Sequence, residues 1–223
     1  KVNLILHVGA PASDRYHPLC SLMVFADIGD RVAIELGEAR LTVSGPFARQ
    51  LGSERDNLVL RAVRAFVGEL GRPMAELSMS LEKQLPVASG LGGGSSDAGA
   101  VLRLIRDVFA PQVDDARLEA VAAQLGADGP ACLWGRPVLA EGRGERLGAA
   151  PLLPVLNAVL VNPGVGVSTP EVYRRLDASG AFGDVTPPAF PEAFESVQEV
   201  AAWLSVQRND LEAPAMAVAP EVG

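Results

Sequence analysis

Residues 89–98 read Ser-Gly-Leu-Gly-Gly-Gly-Ser-Ser-Asp-Ala, four glycines and three serines in ten positions. Glycine has no Cβ, so such a run can turn through positive φ and bring backbone N–H groups against a bulky anion. Ser95 and Ser96 add hydroxyl donors. Directly downstream, Ala98, Val101, Leu102, Ile105 and Phe109 recur at helical spacing. The run therefore opens a helix, whose first N–H groups lack intrahelical partners and carry partial positive charge. Together these features suit a chain of phosphates. A flexible Gly/Ser linker would not lead straight into an apolar helical stripe. Two other phosphate loops do not fit. No lysine follows the glycines, as a Walker A loop requires, and the G-x-G-x-x-G spacing that begins at Gly90 and Gly92 ends on Ser95.

The chain around this run has 223 residues, 48% of them apolar, enough for one or two cores. No apolar run reaches the length of a membrane span. The first residue is Lys1 rather than Met, so nothing follows about a leader. A net charge of −8 argues against a nucleic-acid backbone as partner, yet leaves room for a nucleotide in a local positive site. Cys20 and Cys132 lack metal or C-x-x-C spacing and read as free thiols of a cytoplasmic protein. Seventeen arginines stand against two lysines, Lys1 and Lys83. A lysine kept in such company marks a place that needs a compact ammonium.

The glycine run needs elements on both sides to hold it. Before it, Leu77, Met79 and Leu81 alternate with Ser78, Ser80 and Glu82, a strand pattern. Val2, Leu4, Leu6 and Val8 alternate with Lys1, Asn3, Ile5 and His7, which predicts a first strand with Lys1, Asn3 and His7 on one face. His7 is assigned packing within the sheet and no further role. A turn rich in Gly, Pro, Ser and Asp leads to Tyr16 and His17. Residues 19–28 read as a buried strand, and residues 32–36 and 41–44 as a hairpin across Gly37 and Glu38. Asp56 is a candidate N-cap for a helix over 58–70 that ends at Gly71. Asp114 or Asp115 caps a further helix, followed by a turn that carries Asp128. Short strands are expected over 137–140 and around Arg146, and a domain junction over 149–154. Beyond it come a strong strand over 155–161 and a helix opened by Ser168, Thr169, Pro170 and Glu171. Helices over 192–204 and after Asn209 close the chain. The expectation is an α+β protein of two domains, 1–150 and 151–223, the second incomplete for want of a closing strand.

Taken in order, these segments resemble the GHMP kinase superfamily. Pro86-x-x-x-Gly90-Leu91-Gly92-Gly93-Gly94-Ser95-Ser96 is similar to its ATP-phosphate loop. Lys1-Val2-Asn3-Leu4, Tyr16-His17, Asp56-Asn57-Leu58 and Gly126-Ala127-Asp128-x-Pro130 match in series a branch that acts on a CDP-linked polyol. Asn162-Pro163-Gly164-Val165, Ser168-Thr169-Pro170 and Asn209-Asp210-Leu211-Glu212 continue the match. The resemblance implies a two-domain GHMP kinase fold, ribosomal-protein-S5-domain-2-like at the N-terminus and ferredoxin-like at the C-terminus, with substrates in the cleft between. It implies ATP-dependent phosphorylation of an alcohol, with Mg²⁺ bridging the phosphates. Pro86, Ala88, Ser89, Gly90, Leu91, Gly92, Gly93, Gly94, Ser95 and Ser96 would surround the phosphates, with Asn57 and Lys83 near the adenine.

The same resemblance distributes the chemistry. Asp128, which its local sequence reads as a helix cap, becomes the general base toward the acceptor hydroxyl. Lys1, otherwise a solvated strand end, becomes the ammonium that stabilises charge on the attacking oxygen. Asn3 would hold a substrate hydroxyl. Tyr16 would stack on the cytosine and His17 hydrogen-bond its polar edge, where the residues alone equally allow a core aromatic and an incidental imidazole. Thr169 is a substrate-site hydroxyl or a helix cap. The partner is a small molecule, with neither nucleic acid nor membrane.

Two departures stand out. The superfamily's C-terminal glycine/serine segment has no counterpart here, and Asp97 occupies a position that often carries asparagine. As an acid in the first turns of a helix, Asp97 is expected to favour the helix dipole. Homoserine- or mevalonate-type kinases, and a non-catalytic nucleotide binder on the same scaffold, are the alternative functions. The former need no Tyr16-His17 pair for a cytosine, and the latter needs no Lys1 and Asp128.

Overall fold

In the computed structural model, which describes residues 1–51, 57–71 and 73–223, the strands are β1 (Val2–Asn3), β2 (His7–Val8), β3 (Leu19–Val24), β4 (Arg31–Leu36), β5 (Arg40–Ser44), β6 (Leu77–Glu82), β7 (Val138–Gly142) and β8 (Arg146–Ala149). The helices are α1 (Leu58–Leu70), α2 (Gly93–Phe109), α3 (Asp115–Ala123), α4 (Gly129–Trp134), α5 (Thr169–Ser179), α6 (Val197–Leu204) and α7 (Glu212–Val218). Contacts gather them into two units. The first holds Lys1 and Phe25–Arg136, the second Val2–Val24 and Pro137–Gly223. These units cut across a linear division at residue 150, because β3 near the N-terminus pairs along its length with β7.

In the first unit β6 is the middle strand. Its alternation puts Leu77, Met79 and Leu81 in the core, as the sequence pattern predicts. The expected hairpin of residues 32–36 with 41–44 does not form. β6 lies between them, antiparallel to β4 and parallel to β5. A parallel pair needs a crossover rather than a tight turn, and α1 supplies it. Val59, Ala62 and Phe66 form the buried stripe of α1, and Ala98, Val101, Leu102 and Ile105 that of α2. The cap of α1 is Asn57, whose Oδ1 accepts the Val59 amide at 2.9 Å; Asp56 lies outside the described residues. Asp114 caps α3 by accepting from the Arg117 amide at 2.8 Å. Gly71, at φ +62, ends α1 as expected.

In the second unit the strand order is β1–β3–β7–β8, with β2 on the same side of β3 as β1. β3 is shorter than the sequence suggested. The expected single first strand is broken. Asn3 lies opposite Met23, but His7 lies opposite Cys20, so one extra residue sits in the first strand. This is a β-bulge, and it reverses the facing of everything after it. His7 therefore shares a face with Cys20, opposite to the face of Asn3. Ser21 carries the irregularity: it accepts from Asn3 Nδ2 at 2.7 Å and donates to the Ile5 carbonyl at 2.6 Å. His7 is buried with both ring nitrogens unpartnered among the described residues, and burial followed by the nearby Arg208 lowers its pKa.

Residues 155–161 form no strand. Val155, Val159 and Val161 are more than four-fifths exposed. A run of apolar, β-branched residues makes a strand only where a neighbouring strand takes its hydrogen bonds, and none among the described residues does. The hairpin of β7 and β8 does form, in the expected place. Among the described residues no helix is long and apolar enough to cross a membrane.

Two glycines let helices of the first unit meet at backbone distance. A Cβ on Gly99 would stand 2.6 Å from the Cys132 carbonyl oxygen, and one on Gly129 would land on the Ala122 carbonyl. Neither neighbour is a flexible side-chain end. Gly129→Ala and Gly99→Ala are each expected to lower stability by about 1–3 kcal/mol through overpacking, read as a lower urea midpoint at unchanged m.

Candidate active site

The glycine run leaves β6 through residues 83–92 and turns into α2 at Gly92, which has φ +63. Gly90 at φ +77 and Ala88 at φ +54 also take left-handed backbone. No side chain caps α2. The first backbone bond is donated by Ser96 to the Gly92 carbonyl, at 3.0 Å. The helix thus presents the amides of Gly93, Gly94 and Ser95 without an intrahelical partner. Ser96 Oγ is buried and neighbours the Cys132 thiol, whose pKa it lowers by hydrogen bonding. Uncapped amides, a buried hydroxyl and glycines at the point of approach fit a polyphosphate. Asn57 begins α1 beside this turn, since Leu58 Cδ1 lies 3.1 Å from where a Gly94 Cβ would be. The side chain of Asn57 is in part committed to its cap.

Lys1 and Asp128 converge on the same turn. A Cβ on Gly92 would stand 2.9 Å from Lys1 Cγ and 3.2 Å from Asp128 Oδ2. The Lys1 backbone nitrogen donates to the Leu91 carbonyl at 2.8 Å, tying that residue to the run. Asp128 holds the N-cap position of α4, yet its carboxylate makes no capping bond. The local reading of Asp128 as a cap therefore does not describe it: the half-buried carboxylate faces the glycine turn. Cys132, one helical turn on, is pushed up to about 11 by burial, with the Asp128 carboxylate adding to it. Its thiol stays protonated and is no nucleophile.

Lys83, expected near the adenine, has its side chain committed to carboxylates of the protein. Its ammonium is buried between Asp30 and Asp97, 2.9 Å from Asp97 Oδ2 and in direct contact with Asp30 Oδ2. Asp30 Oδ1 also accepts the amides of Gln84 at 2.6 Å and Leu85 at 2.9 Å. The trio underlies the start of α2, where a Gly93 Cβ would stand 3.3 Å from Asp30 Oδ2. Asp97 is thus no dipole-facing surface acid. It is buried, and burial raises its pKa to about 6, against the pull of Lys83. Asp30 was invisible to sequence reasoning, because nothing local pairs it with Lys83.

The second unit carries Tyr16, His17, Asn3 and Thr169. Tyr16 is 56% exposed on the loop before β3. His17 is buried at its side chain, with Nδ1 2.8 Å from the Gly9 carbonyl oxygen and Nε2 3.2 Å from Asp177 Oδ1. Its ring packs 5.1 Å from Tyr173 and 5.8 Å from Phe182, centroid to centroid. The polar edge of this imidazole is already engaged by the protein. Tyr173 was missed in the sequence, although α5 places it one turn after the Thr169 that was singled out. Thr169 is exposed at the first position of α5, after the N-cap residue Ser168.

A family description, the GHMP kinases N terminal domain, matches residues 57–136, which span the uncapped turn, Asp97 and Asp128. Over the whole of this chain, a 4-diphosphocytidyl-2-C-methyl-D-erythritol kinase of Caulobacter vibrioides is 55% identical across 78% of its own length. One of Parvibaculum lavamentivorans is 44% identical across 77%. A crystal structure of 4-(cytidine 5'-diphospho)-2C-methyl-D-erythritol kinase aligns with a TM-score of 0.71 at 35% identity, covering 99% of this chain and 76% of that one. A homoserine kinase from Cytophaga hutchinsonii, at 18% identity and a TM-score of 0.58, shares the fold. The fold and site define a GHMP kinase. Within that class, the chain belongs to the 4-diphosphocytidyl-2-C-methyl-D-erythritol kinase family, and it spans about three quarters of the length of these relatives.

The buried acid makes a pH signature. Between the ordinary 3.8 and about 6 the folded chain holds the Asp97 proton more tightly than the unfolded chain. Stability must then fall as pH rises through that window. The stability of the unaltered chain relative to Asp97→Asn is expected to decline from about pH 4 to about pH 6 and to level off above it. Urea midpoints measured across that range check this.

Proposed function

We propose that the chain moves the terminal phosphoryl group of ATP onto the 2-hydroxyl of 4-diphosphocytidyl-2-C-methyl-D-erythritol, the molecule named for its relatives. The observation that carries the reading is the joint placement of Lys1 and Asp128 against Gly92, at the mouth of an uncapped helix. Asp128 accepts the proton of the acceptor hydroxyl as that oxygen bonds to phosphorus. Lys1 offsets the charge on the acceptor oxygen and the phosphoryl group in transit. The amides of Gly93, Gly94 and Ser95, with Ser96 Oγ, hold the phosphates, and Pro86 to Leu91 shape the turn beneath them. Mg²⁺ bound with the triphosphate would shield its charge and would need few protein ligands, since such ions are held chiefly by substrate phosphates and water. Phosphoryl transfer gains mostly from positioning and electrostatics, which is what these residues supply.

In the second unit Tyr16 offers its ring to the cytosine, and Tyr173 beside His17 supplies a second aromatic wall. His17 reads the polar edge of the base by exchanging its Asp177 contact. Asn3 and Thr169 take hydroxyls of the substrate. Lys83 and Asn57 act on the adenine side through the shape of the loop rather than through a free ammonium. A non-catalytic nucleotide binder would have no use for an acid and an ammonium directed at one glycine.

Asp128→Asn is expected to lower kcat by about 10²–10⁴-fold with ATP affinity kept; turnover within about threefold of the unaltered chain removes Asp128 as the base. Tyr16→Ala is expected to raise KM for the CDP-linked substrate about tenfold, the loss of one base stack, with KM for ATP unmoved.

A further inference from the structure

Tyr16 is a poor platform by itself. It stands on an exposed loop, and a ring that must be ordered at each binding event loses affinity to side-chain entropy. The loop is nonetheless tightly specified. Asp14 Oδ1 accepts the Tyr16 amide at 3.0 Å, Arg15 takes a left-handed φ of +68, and the Ala12 amide donates to the Tyr16 carbonyl at 2.8 Å. These bonds fix the backbone of Tyr16 but leave its ring to be held by something else.

That partner comes from the β7–β8 turn. Gly142 at φ +71 and Gly144 at φ +114 flank Arg143, whose amide donates to Glu145 Oε2 at 2.6 Å. The Arg143 guanidinium carbon lies 4.5 Å from the centroid of the Tyr16 ring. Its Nη2 donates to Asp14 Oδ2, the carboxylate oxygen that the Tyr16 amide does not use. Asp14 therefore joins the backbone of Tyr16 to the group that covers one side of its ring. A planar guanidinium can stack and fork in this way, and an ammonium cannot.

Resting on the reading that Tyr16 stacks on the cytosine, we propose that Arg143 is a positioning residue: layered on one face of Tyr16 and anchored by Asp14, it holds the ring ready to take the pyrimidine of a cytidine diphosphate on the other. Arg143 acts through Tyr16, so its effect belongs to recognition of the base and not to phosphoryl transfer.

The test is steady-state kinetics of the full chain with the CDP-linked substrate, with CDP itself as a competitive inhibitor. Arg143→Ala is expected to raise KM and the Ki of CDP together, about two- to fivefold, with kcat and KM for ATP unmoved. Arg143→Lys keeps the charge and is expected to resemble Arg143→Ala more than the unaltered chain. Asp14→Ala combined with Arg143→Ala is expected to be no worse than the poorer single variant, because the two act as one device. An unchanged KM in Arg143→Ala while Tyr16→Ala raises it overturns this inference and leaves the base-stacking reading in place. An unchanged KM in both overturns the base-stacking reading and this inference with it. A loss in kcat and in both KM values, with a lower melting temperature, assigns Arg143 a general structural role and overturns the inference as well.

Discussion

The structure turns on a helix that starts without a cap. An ordinary α-helix satisfies its first amides with a Ser, Thr, Asp or Asn side chain, worth about 1 kcal/mol. α2 forgoes this, because Gly92 at φ +63 has no side chain to offer. Burial of Val101, Leu102 and Ile105 outweighs that loss, at about 1.5–3 kcal/mol for each large apolar side chain. The amides left over are then available to an anion. Two further glycines follow from the same constraint. Gly99 brings α4 within backbone reach of α2, and Gly129 brings α4 against the carbonyl of Ala122. Asp128 directly precedes α4 and is thereby delivered to Gly92. The glycines serve close approach as well as backbone freedom.

An acidic protein that binds phosphates has to manage its own carboxylates. Asp30, Asp97 and Asp128 all stand near the start of α2. Unit charges about 4 Å apart interact by roughly 4 kcal/mol at an effective dielectric of 20, so their placement matters. Lys83 sits between Asp30 and Asp97, and the upward shift of Asp97 reduces the charge further at mildly acid pH. Asp30 meanwhile accepts two backbone amides of the departing loop. The trio thus fixes where the loop begins while keeping most of its charge internal. The Lys1 side chain and the Asp128 carboxylate approach the same glycine, Gly92. Both lysines of a chain with seventeen arginines lie at this helix start, Lys83 against two carboxylates.

What the sequence disclosed was local. The glycine run, the stripes of α1 and α2, the Gly71 terminus and the β7–β8 hairpin each depend on residues close in the chain, and each was legible. The scarcity of lysine drew attention to Lys1 and Lys83, and the Lys83 ammonium is buried between two carboxylates. Longer-range facts were hidden. The partner of β5 is decided by which strand fits beside β6, not by the turn at Gly37. A single extra residue between Asn3 and His7 reverses the face of His7, and alternation alone cannot announce it. Residues 155–161 have the composition of a strand but no ladder partner among the described residues. The burial of Lys83 is not legible locally, because its partners Asp30 and Asp97 lie 53 and 14 residues away. Arg143 was illegible for the same reason, being 129 residues from Asp14.

The two sets of residues are held by different means, and the difference matches the roles proposed for each. Asp128 and the α2 amides sit at helix ends whose positions are set by buried backbone contacts at Gly99 and Gly129. Helix ends of this sort hold geometry to the sub-ångström tolerance that the proposed proton transfer and in-line attack would demand. Tyr16 sits on a loop held by hydrogen bonds, an ion pair and a stacked guanidinium, all at the surface. Such contacts are individually weak, but a flat base tolerates a shift of its platform that a reacting oxygen does not. Recognition can therefore be carried by side-chain contacts that vary without disturbing the chemistry. Gly92 and Gly129, on either side of Asp128, have no such freedom, since a side chain or a carbonyl stands where a Cβ would be.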